Sequence, residues 1–483
     1  MIKIMRLSGK IRCKSARISG KLAKHLVKVG KGMGKSFPGY LFLKIGSGSS
    51  LKELAKAPSI GSIVVTGTNG KTTTTKLISM LLEKNAPISY NYDSNTLNAI
   101  ATGLLSDNID LGVFEYGIRD LTHAIPDEVF NLVQPVGVVY TNISREHSIV
   151  DGILNPFDNY LKAKELLSAP MNNGIIFCNA DDPRTAHIGK KKENDTHVTY
   201  YGFDIDLNDK TSSEDVYCPI CGDKLNYTKR YSNHRGLFSC ICGFKRPEPD
   251  MKLTKLSKTF NEWTVKFEGN VLNYPEDEMV PISLTIKTPA FGIYNLYNLL
   301  CAVTTYASFT PTPEEIESTV KSVSETLDIS ILPPGRFEII KIGDKLIGMG
   351  QGDNGDALKA NIQFMEEFIE GDMGFVYTTP DQGEEEIFED HLNGLISSNP
   401  KKVYVVPGRI SVKAARDYYE KISKFFDAEF YPLSYKEMSK RREKIIELIH
   451  NTPCKYMIVS GCGPEHYMWA ELKSELKSSS KSF

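Results

Sequence analysis

A Gly-Thr-Asn-Gly-Lys-Thr-Thr run, Gly67 to Thr73, lies between a β-branched segment, Ser62-Ile63-Val64-Val65-Thr66, and a helical run from Thr74 to Leu82. Strand, glycine loop and helix in that order are what a phosphate loop requires. Successive backbone N–H groups and the helix N-terminus bind phosphate oxygens, Lys71 neutralises β/γ charge, and the Thr72 hydroxyl can ligate Mg²⁺. A glycine-rich turn with an adventitious lysine is the bland alternative, and strand, spacing and helix together count against it.

The run also fixes the fold class. Leu111-Gly112-Val113-Phe114, Val136-Gly137-Val138-Val139-Tyr140 and Gly174-Ile175-Ile176-Phe177-Cys178 are further short β-branched runs separated by helical stretches. Such alternation predicts βαβ units and a parallel sheet covered on both faces. Ligands in such sheets bind outside the carboxyl ends of the strands, and polar residues collect where each of these runs ends.

With 483 residues the chain exceeds one typical core, so several domains are expected. The pattern breaks into a polar, cysteine-bearing insertion over 204–250, and Leu332-Pro333-Pro334-Gly335 marks a second boundary. Beyond it Phe375-Val376-Tyr377, Val403-Tyr404-Val405-Val406 and Met457-Ile458-Val459 predict strands of another α/β unit. The expected division is a short basic N-terminal segment (1–60), a central nucleotide-binding domain (61–330) and a C-terminal Rossmann-like α/β domain (331–483). The Ser/Lys-rich tail from Ser474 is expected to be disordered.

No stretch is long and apolar enough to span a bilayer, and the N-terminus lacks the apolar segment and cleavage site of a secretory signal. The chain is therefore expected to stay in the cytoplasm, and nine cysteines without a disulfide-like framework fit a reducing compartment. Thirteen Lys and Arg lie between Lys3 and Lys52, with no Asp or Glu before Glu53. A basic amphipathic segment from Ile4 to Lys28 can lie on an anionic membrane surface or meet a phosphate-rich ligand; a solvated helical arm is the alternative. No nucleic-acid partner is expected.

Further elements follow the loop in order: Glu115 ending a strand, Thr141-Asn142-Ile143 with Glu146-His147, Asn179-Ala180-Asp181-Asp182, Tyr294-Asn295-Leu296-Tyr297-Asn298, and Gly335-Arg336-Phe337-Glu338. In this set the chain resembles the Mur ligase family, with Glu146 standing where the family has Asp. The resemblance implies that Gly67, Thr68, Asn69, Gly70, Lys71, Thr72 and Thr73 bind ATP, and that Thr72 and Glu115 hold Mg²⁺. It implies a second Mg²⁺ at His147, nucleotide contacts from Asn179 and Asp182, adenine contacts from Asn295 and Asn298, and a phosphate contact from Arg336 at the domain junction. Lys164, in Leu161-Lys162-Ala163-Lys164-Glu165, aligns with a lysine that several members carry carbamylated to complete the second Mg²⁺ site. An ordinary helical-surface lysine is the competing reading.

The insertion holds Cys218-Pro219-Ile220-Cys221 and Cys240-Ile241-Cys242, two close thiol pairs that suit structural tetrahedral Zn²⁺, with His234 a spare candidate. Free cysteines are the alternative. With Tyr231-Ser232-Asn233-His234 and the basic N-terminus, the insertion resembles the zinc ribbon of the family's MurT branch, which amidates lipid II glutamate with a glutaminase partner. Beyond Glu338 that likeness weakens. Gln351-Gly352-Asp353-Asn354-Gly355 is as close to an element of the amino-acid-adding members, and the pseudomurein peptide ligases of methanogens combine such features.

The resemblance therefore implies an ATP-dependent ligase that activates a carboxylate of a UDP- or lipid-linked cell-wall precursor peptide as an acyl phosphate and adds an amino acid. Amidation with ammonia from a glutaminase subunit is the alternative. Lys71, Glu115, His147, Lys164 and Arg336 are the candidate catalytic residues. A folylpolyglutamate- or cyanophycin-type ligase would share the loop without the ribbon, and a non-catalytic nucleotide-binding module would not need Lys71, Thr72, Glu115 and His147 together.

Overall fold

The structure is a computed structural model and describes residues 2–29, 35–91, 94–118, 121, 126–144, 156–207, 215–310, 312–328, 336–353, 355–381, 383–462 and 466–480. It divides into two compact units, the first comprising residues 1–257, 264–288 and 293–327, the second 258–263, 289–292 and 328–483.

The first unit opens with three helices, α1 (Ile2–Val29), α2 (Phe37–Ile45) and α3 (Gly48–Leu54). Strands and helices then alternate: β1 (Gly61–Thr66), α4 (Lys71–Leu82), β2 (Ile88–Asn91), α5 (Leu97–Leu104), β3 (Leu111–Glu115), α6 (Pro126–Val133), β4 (Gly137–Tyr140), α7 (Pro156–Leu166), β5 (Ile175–Asn179), α8 (Pro183–Lys192) and β6 (His197–Phe203). All six strands pair in parallel, in the order β2-β3-β1-β4-β5-β6. Near-continuous runs such as Ile63-Val64-Val65 and Ile175-Ile176-Phe177 are wholly buried, as strands covered on both faces must be. The expected α/β class and its parallel sheet are present.

The insertion contributes a two-stranded hairpin, β7 (Asn226–Ser232) and β8 (Arg235–Ser239). Beyond it the large sheet gains β9 (Met251–Lys258), β10 (Glu262–Asn273) and β11 (Glu278–Pro289), making nine strands with β11 at the edge. Along β11 exposed and buried residues alternate, so one face meets the core and the other solvent. Helices α9 (Ile293–Ala307) and α10 (Pro313–Thr326) follow, and Thr312 caps α10 by accepting the Glu315 N–H.

The second unit holds β12 (Glu338–Ile342), β13 (Lys345–Gln351), α11 (Gly355–Glu366), β14 (Met373–Thr378), α12 (Glu385–Ser398), β15 (Lys402–Val406), α13 (Val412–Ile422), β16 (Ala428–Phe430), α14 (Met438–Asn451), β17 (Tyr456–Gly461) and α15 (His466–Ser480). Its six strands run β12-β13-β17-β14-β15-β16, parallel except for the β12–β13 hairpin. The tail corrects an expectation: residues through Ser480 continue α15, anchored by buried Trp469, Leu472 and Leu476. Apolar residues three, four and seven apart on one helical face outweigh the Ser/Lys composition around them.

Candidate active site

Strand β1 lies between β3 and β4, so the chain order reverses on either side of it and a crevice opens beyond the carboxyl ends of these strands. The phosphate-loop residues leave β1 there. Gly67 has φ +153° and a Cβ on it would collide with Thr141 Oγ1; Gly70 is left-handed at φ +82°, caps α4, and a Cβ on it would meet Asn298 Oδ1. Only glycine fits both places.

The end of β4 pins the loop. Thr141 Oγ1 and Asn142 Nδ2 donate to the Asn69 carbonyl at 2.7 and 2.8 Å, and the Thr68 amide donates to the Asn142 carbonyl at 2.8 Å. Thr68 Oγ1 lies 2.9 Å from the Tyr160 hydroxyl and accepts the Ser144 amide at 3.0 Å. Lys71 begins α4 and its Nζ donates to the carbonyls of Gly67 (3.0 Å) and Thr68 (2.8 Å). Burial lowers its pKa, and the carboxylate of Glu115 opposes that shift. Thr72 is half-buried on the first turn and Thr73 is buried behind it.

Glu115 ends β3 and is 2 % exposed, so it is no solvated strand end. Asn91 Oδ1 accepts its amide at 2.7 Å and Asn91 Nδ2 donates to its carbonyl at 3.2 Å. Lys164 is 1 % exposed, which rules out the helical-surface reading. Its Nζ reaches Thr66 Oγ1 (3.3 Å) and the carbonyls of Gly67 (3.1 Å) and Ile118 (3.2 Å). Burial, then the charge of Lys71, holds its pKa well below the usual lysine value. Lys71, Glu115 and Lys164 thus share one crevice; Glu146 and His147 lie outside the described residues.

Asp182 serves as N-cap of α8: Oδ1 accepts the Arg184 amide at 2.9 Å, while Oδ2 accepts the Ile143 amide at 2.7 Å and lies 3.1 Å from His234 Nε2. Asn179 Oδ1 accepts the Asp181 amide at 3.0 Å. In α9, Asn298 Oδ1 accepts from Thr74 Oγ1 at 3.3 Å, and its Nδ2 donates to Asn295 Oδ1 at 3.0 Å, setting both asparagines beside the start of α4.

Several contacts bearing on the site join residues far apart in the chain, so the local sequence does not show the pairing. Asp181, fully buried, receives Arg246 Nε (2.5 Å), the Tyr297 hydroxyl (2.8 Å) and the Phe203 amide (2.8 Å). Tyr297 stacks on Phe203 at 3.7 Å, and the Arg235 guanidinium lies over Tyr294 and Tyr297 at 4.5 and 5.1 Å. His234 and Arg235 sit at the turn between β7 and β8, so the inserted hairpin is fastened to the Asp181-Asp182 element and to α9.

At the other end of the insertion Cys218, Cys221, Cys240 and Cys242 bring their sulfurs within 4.8 Å of one another. Two contacts are 3.4 Å (Cys221–Cys240) and 3.7 Å (Cys218–Cys242). Tetrahedral thiolates about 2.3 Å from Zn²⁺ stand about 3.8 Å apart, so the donors and their spacing fit that ion. His234 is not in this group; Asp182 engages it instead. Arg336 belongs to the second unit, exposed just before β12, where Lys473 Nζ donates to its carbonyl.

Residues 65–232 match the family model described as Mur ligase middle domain. The chain is 28 % identical over 330 residues to the MurT subunit of the lipid II isoglutaminyl synthase (glutamine-hydrolyzing) of Streptococcus pneumoniae, covering 66 % of this chain and 67 % of that one. For the subunit of the same name from Staphylococcus aureus strain COL the figures are 27 % over 370 residues, 74 % and 76 %. Among solved structures, a pseudomurein peptide ligase type C from Methanothermus fervidus superposes with a TM-score of 0.61 at 23 % identity, over 88 % of this chain and 80 % of that one. MurF from Acinetobacter baumannii does so with 0.59 at 16 %, over 91 % and 81 %. These two show the shared fold. With the middle-domain match and the extended MurT likeness beside the phosphate loop, the chain carries a Mur ligase middle domain and is similar to MurT subunits over most of its length.

Proposed function

We propose that the chain forms an amide bond on a cell-wall precursor peptide, UDP- or lipid-linked, by activating its carboxylate with ATP and adding an amino acid. The observation that carries this reading is the convergence of Lys71, Glu115 and buried Lys164 on one phosphate loop.

The loop fits a nucleotide triphosphate. Its glycines allow the tight turn against Thr141 and Asn298 that leaves backbone N–H groups at the start of α4, and Lys71 would neutralise β/γ charge. Thr72 and Glu115 supply the oxygens that would hold Mg²⁺, and His147 would offer a ring nitrogen to a second site. The ions would screen the approach of one anion to another. The precursor carboxylate attacks the γ-phosphorus in line: its C–O–P bond forms as the bond to the β-phosphate oxygen breaks, and ADP leaves. The amine nitrogen then attacks the acyl carbon, phosphate departs with the bonding pair, and nitrogen loses a proton. Asn295 and Asn298 would orient the base, with Asn179 and Asp182 shaping the floor beside it. Arg336 would stabilise charge on the transferred group. Burial lowers the pKa of Lys164 and so favours the neutral amine that carbamylation by CO₂ requires; the product would be an anion beside the loop. The four cysteines would hold a structural Zn²⁺ with no open position. The work would be done in the cytoplasm.

A second reading, amidation of lipid II glutamate with ammonia from a glutaminase partner, is favoured by the 27–28 % identity to the two MurT subunits. The test is ATP-dependent phosphate release by the purified chain, offered precursor peptides with a panel of amino acids or with ammonium, and mass analysis of the product. Release stimulated by one amino acid supports the peptide ligase; release only with ammonium, or only with an added glutaminase, supports the second reading. No release under any condition sinks both.

A further inference from the structure

Helix α1 is built inside out. The face turned to the rest of its unit is made of small residues: Ala16, Gly20 and Ala23 are buried, and Gly20 packs against Leu105 and Phe42. The opposite face carries Ile11, Ile18, Leu22 and Leu26, each between 59 % and 68 % exposed. At 100° per residue these four fall within one narrow stripe. A helix that meets only water does the reverse, burying its large aliphatics and exposing its small residues. α1 is not loosely held: Arg12 Nε donates to the Ile45 carbonyl at 2.8 Å, and Lys24 Nζ reaches the Thr102 carbonyl (3.1 Å) and Ser106 Oγ (2.7 Å). The outward face is therefore a fixed feature of the unit.

Along one border of the stripe run Lys10, Lys14, Lys21 and Lys28, and no acidic residue occurs in the chain before Glu53. Lys21 is paired with Asp107. We propose that this face of α1 docks on an anionic membrane surface, the aliphatic stripe lying at the boundary of headgroups and acyl chains and the lysine row on lipid phosphates. Apolar area and basic charge on a helix too polar to span a bilayer are the two ingredients of interfacial binding. A second copy of the chain fits worse, because it would bring two lysine rows together. A neutral apolar partner leaves the lysines unexplained.

The test needs neither ATP nor a precursor, so its failure would leave the ligase reading untouched. Purified full-length protein is sedimented with vesicles of phosphatidylcholine alone or mixed with phosphatidylglycerol, at low and high salt. The expected result is binding to anionic vesicles only, weakened by salt, and reduced on the order of tenfold by Ile18→Glu or Leu22→Glu. Both side chains are exposed, so melting curves should match the parent. Absence of binding to anionic vesicles, or unchanged binding by both variants, overturns the proposal. So does a lipid-free dimer, seen by analytical ultracentrifugation, that the same substitutions dissociate.

Discussion

Replacing Arg246 by alanine tests whether the inserted hairpin supports the nucleotide-binding unit. The guanidinium is 11 % exposed and its Nε lies 2.5 Å from a carboxylate that is fully buried, while its other arm donates to the Phe203 carbonyl at 2.7 Å. Removing one partner of a buried pair costs about 3–5 kcal/mol, because the remaining charge has lost its solvent and its counter-ion. Asp181 keeps the Tyr297 hydroxyl and the Phe203 amide, so the lower end, about 3 kcal/mol, is expected. That is roughly a hundredfold in an opening equilibrium. Hydrogen exchange of peptides from β5 and β6 should report it. Exchange of peptides from β14 and β15 in the second unit serves as an internal control. Adding Asp181→Asn to Arg246→Ala removes the orphaned charge and should restore about half of the loss. Unchanged β6 exchange in the single variant, or a double variant no better than the single, would refute the argument.

Four further outcomes are expected. Lys71→Ala should abolish ATP turnover with an unaltered circular dichroism spectrum; retained turnover would show that the loop is not the phosphate site. Gly70→Ala forces a side chain into a left-handed position against Asn298 and should cost about 1–3 kcal/mol in thermal stability as well as activity; a variant as stable as the parent would contradict the close approach. Metal analysis should find one Zn²⁺ per chain and less than that in Cys221→Ser, and a zinc-free, equally stable parent would refute the ribbon assignment. Burial holds the pKa values of His187, His197 and His234 below the ordinary 6.5, against the opposing pull of Glu165, Asp277 and Asp182. The unfolded chain then binds more protons, so stability is present above pH 6.5 and is lost as pH falls towards the folded pKa values. A denaturation midpoint that stays flat or rises on acidification below pH 6.5 would contradict this.

How much was legible depended on whether a feature is local in the chain. The phosphate loop, its strand and its helix are contiguous, and the paired cysteines announce a metal site through spacing alone. Glu115 and Lys164 carry no local signal; resemblance pointed to them, and their burial beside the loop became evident only when β3 and α7 were folded against β1. The bonds of Asp181 to Arg246 and of Asp182 to His234 span the insertion and leave no periodic trace. The strands β9 to β11 largely alternate polar and apolar residues, a period of two unlike the apolar-throughout runs of the parallel strands. The tail from Ser474 shows the converse, a biased composition concealing Leu476, which continues the buried face that Trp469 and Leu472 begin.

The long edge strand β11 has a consequence for how the protein behaves in concentrated solution. Among the described residues no strand pairs with the outer side of β11, so this edge is a template on which another chain's strand could register. Pro281 withholds an N–H from any such ladder, and the solvent row of Ser283, Thr285 and Lys287 offers an incoming strand polar groups and a charge instead of apolar surface. The sheet is thereby terminated chemically at β11, and replacing Pro281 and Lys287 with valine would be expected to convert a monodisperse preparation into one that associates edge to edge, detectable by light scattering.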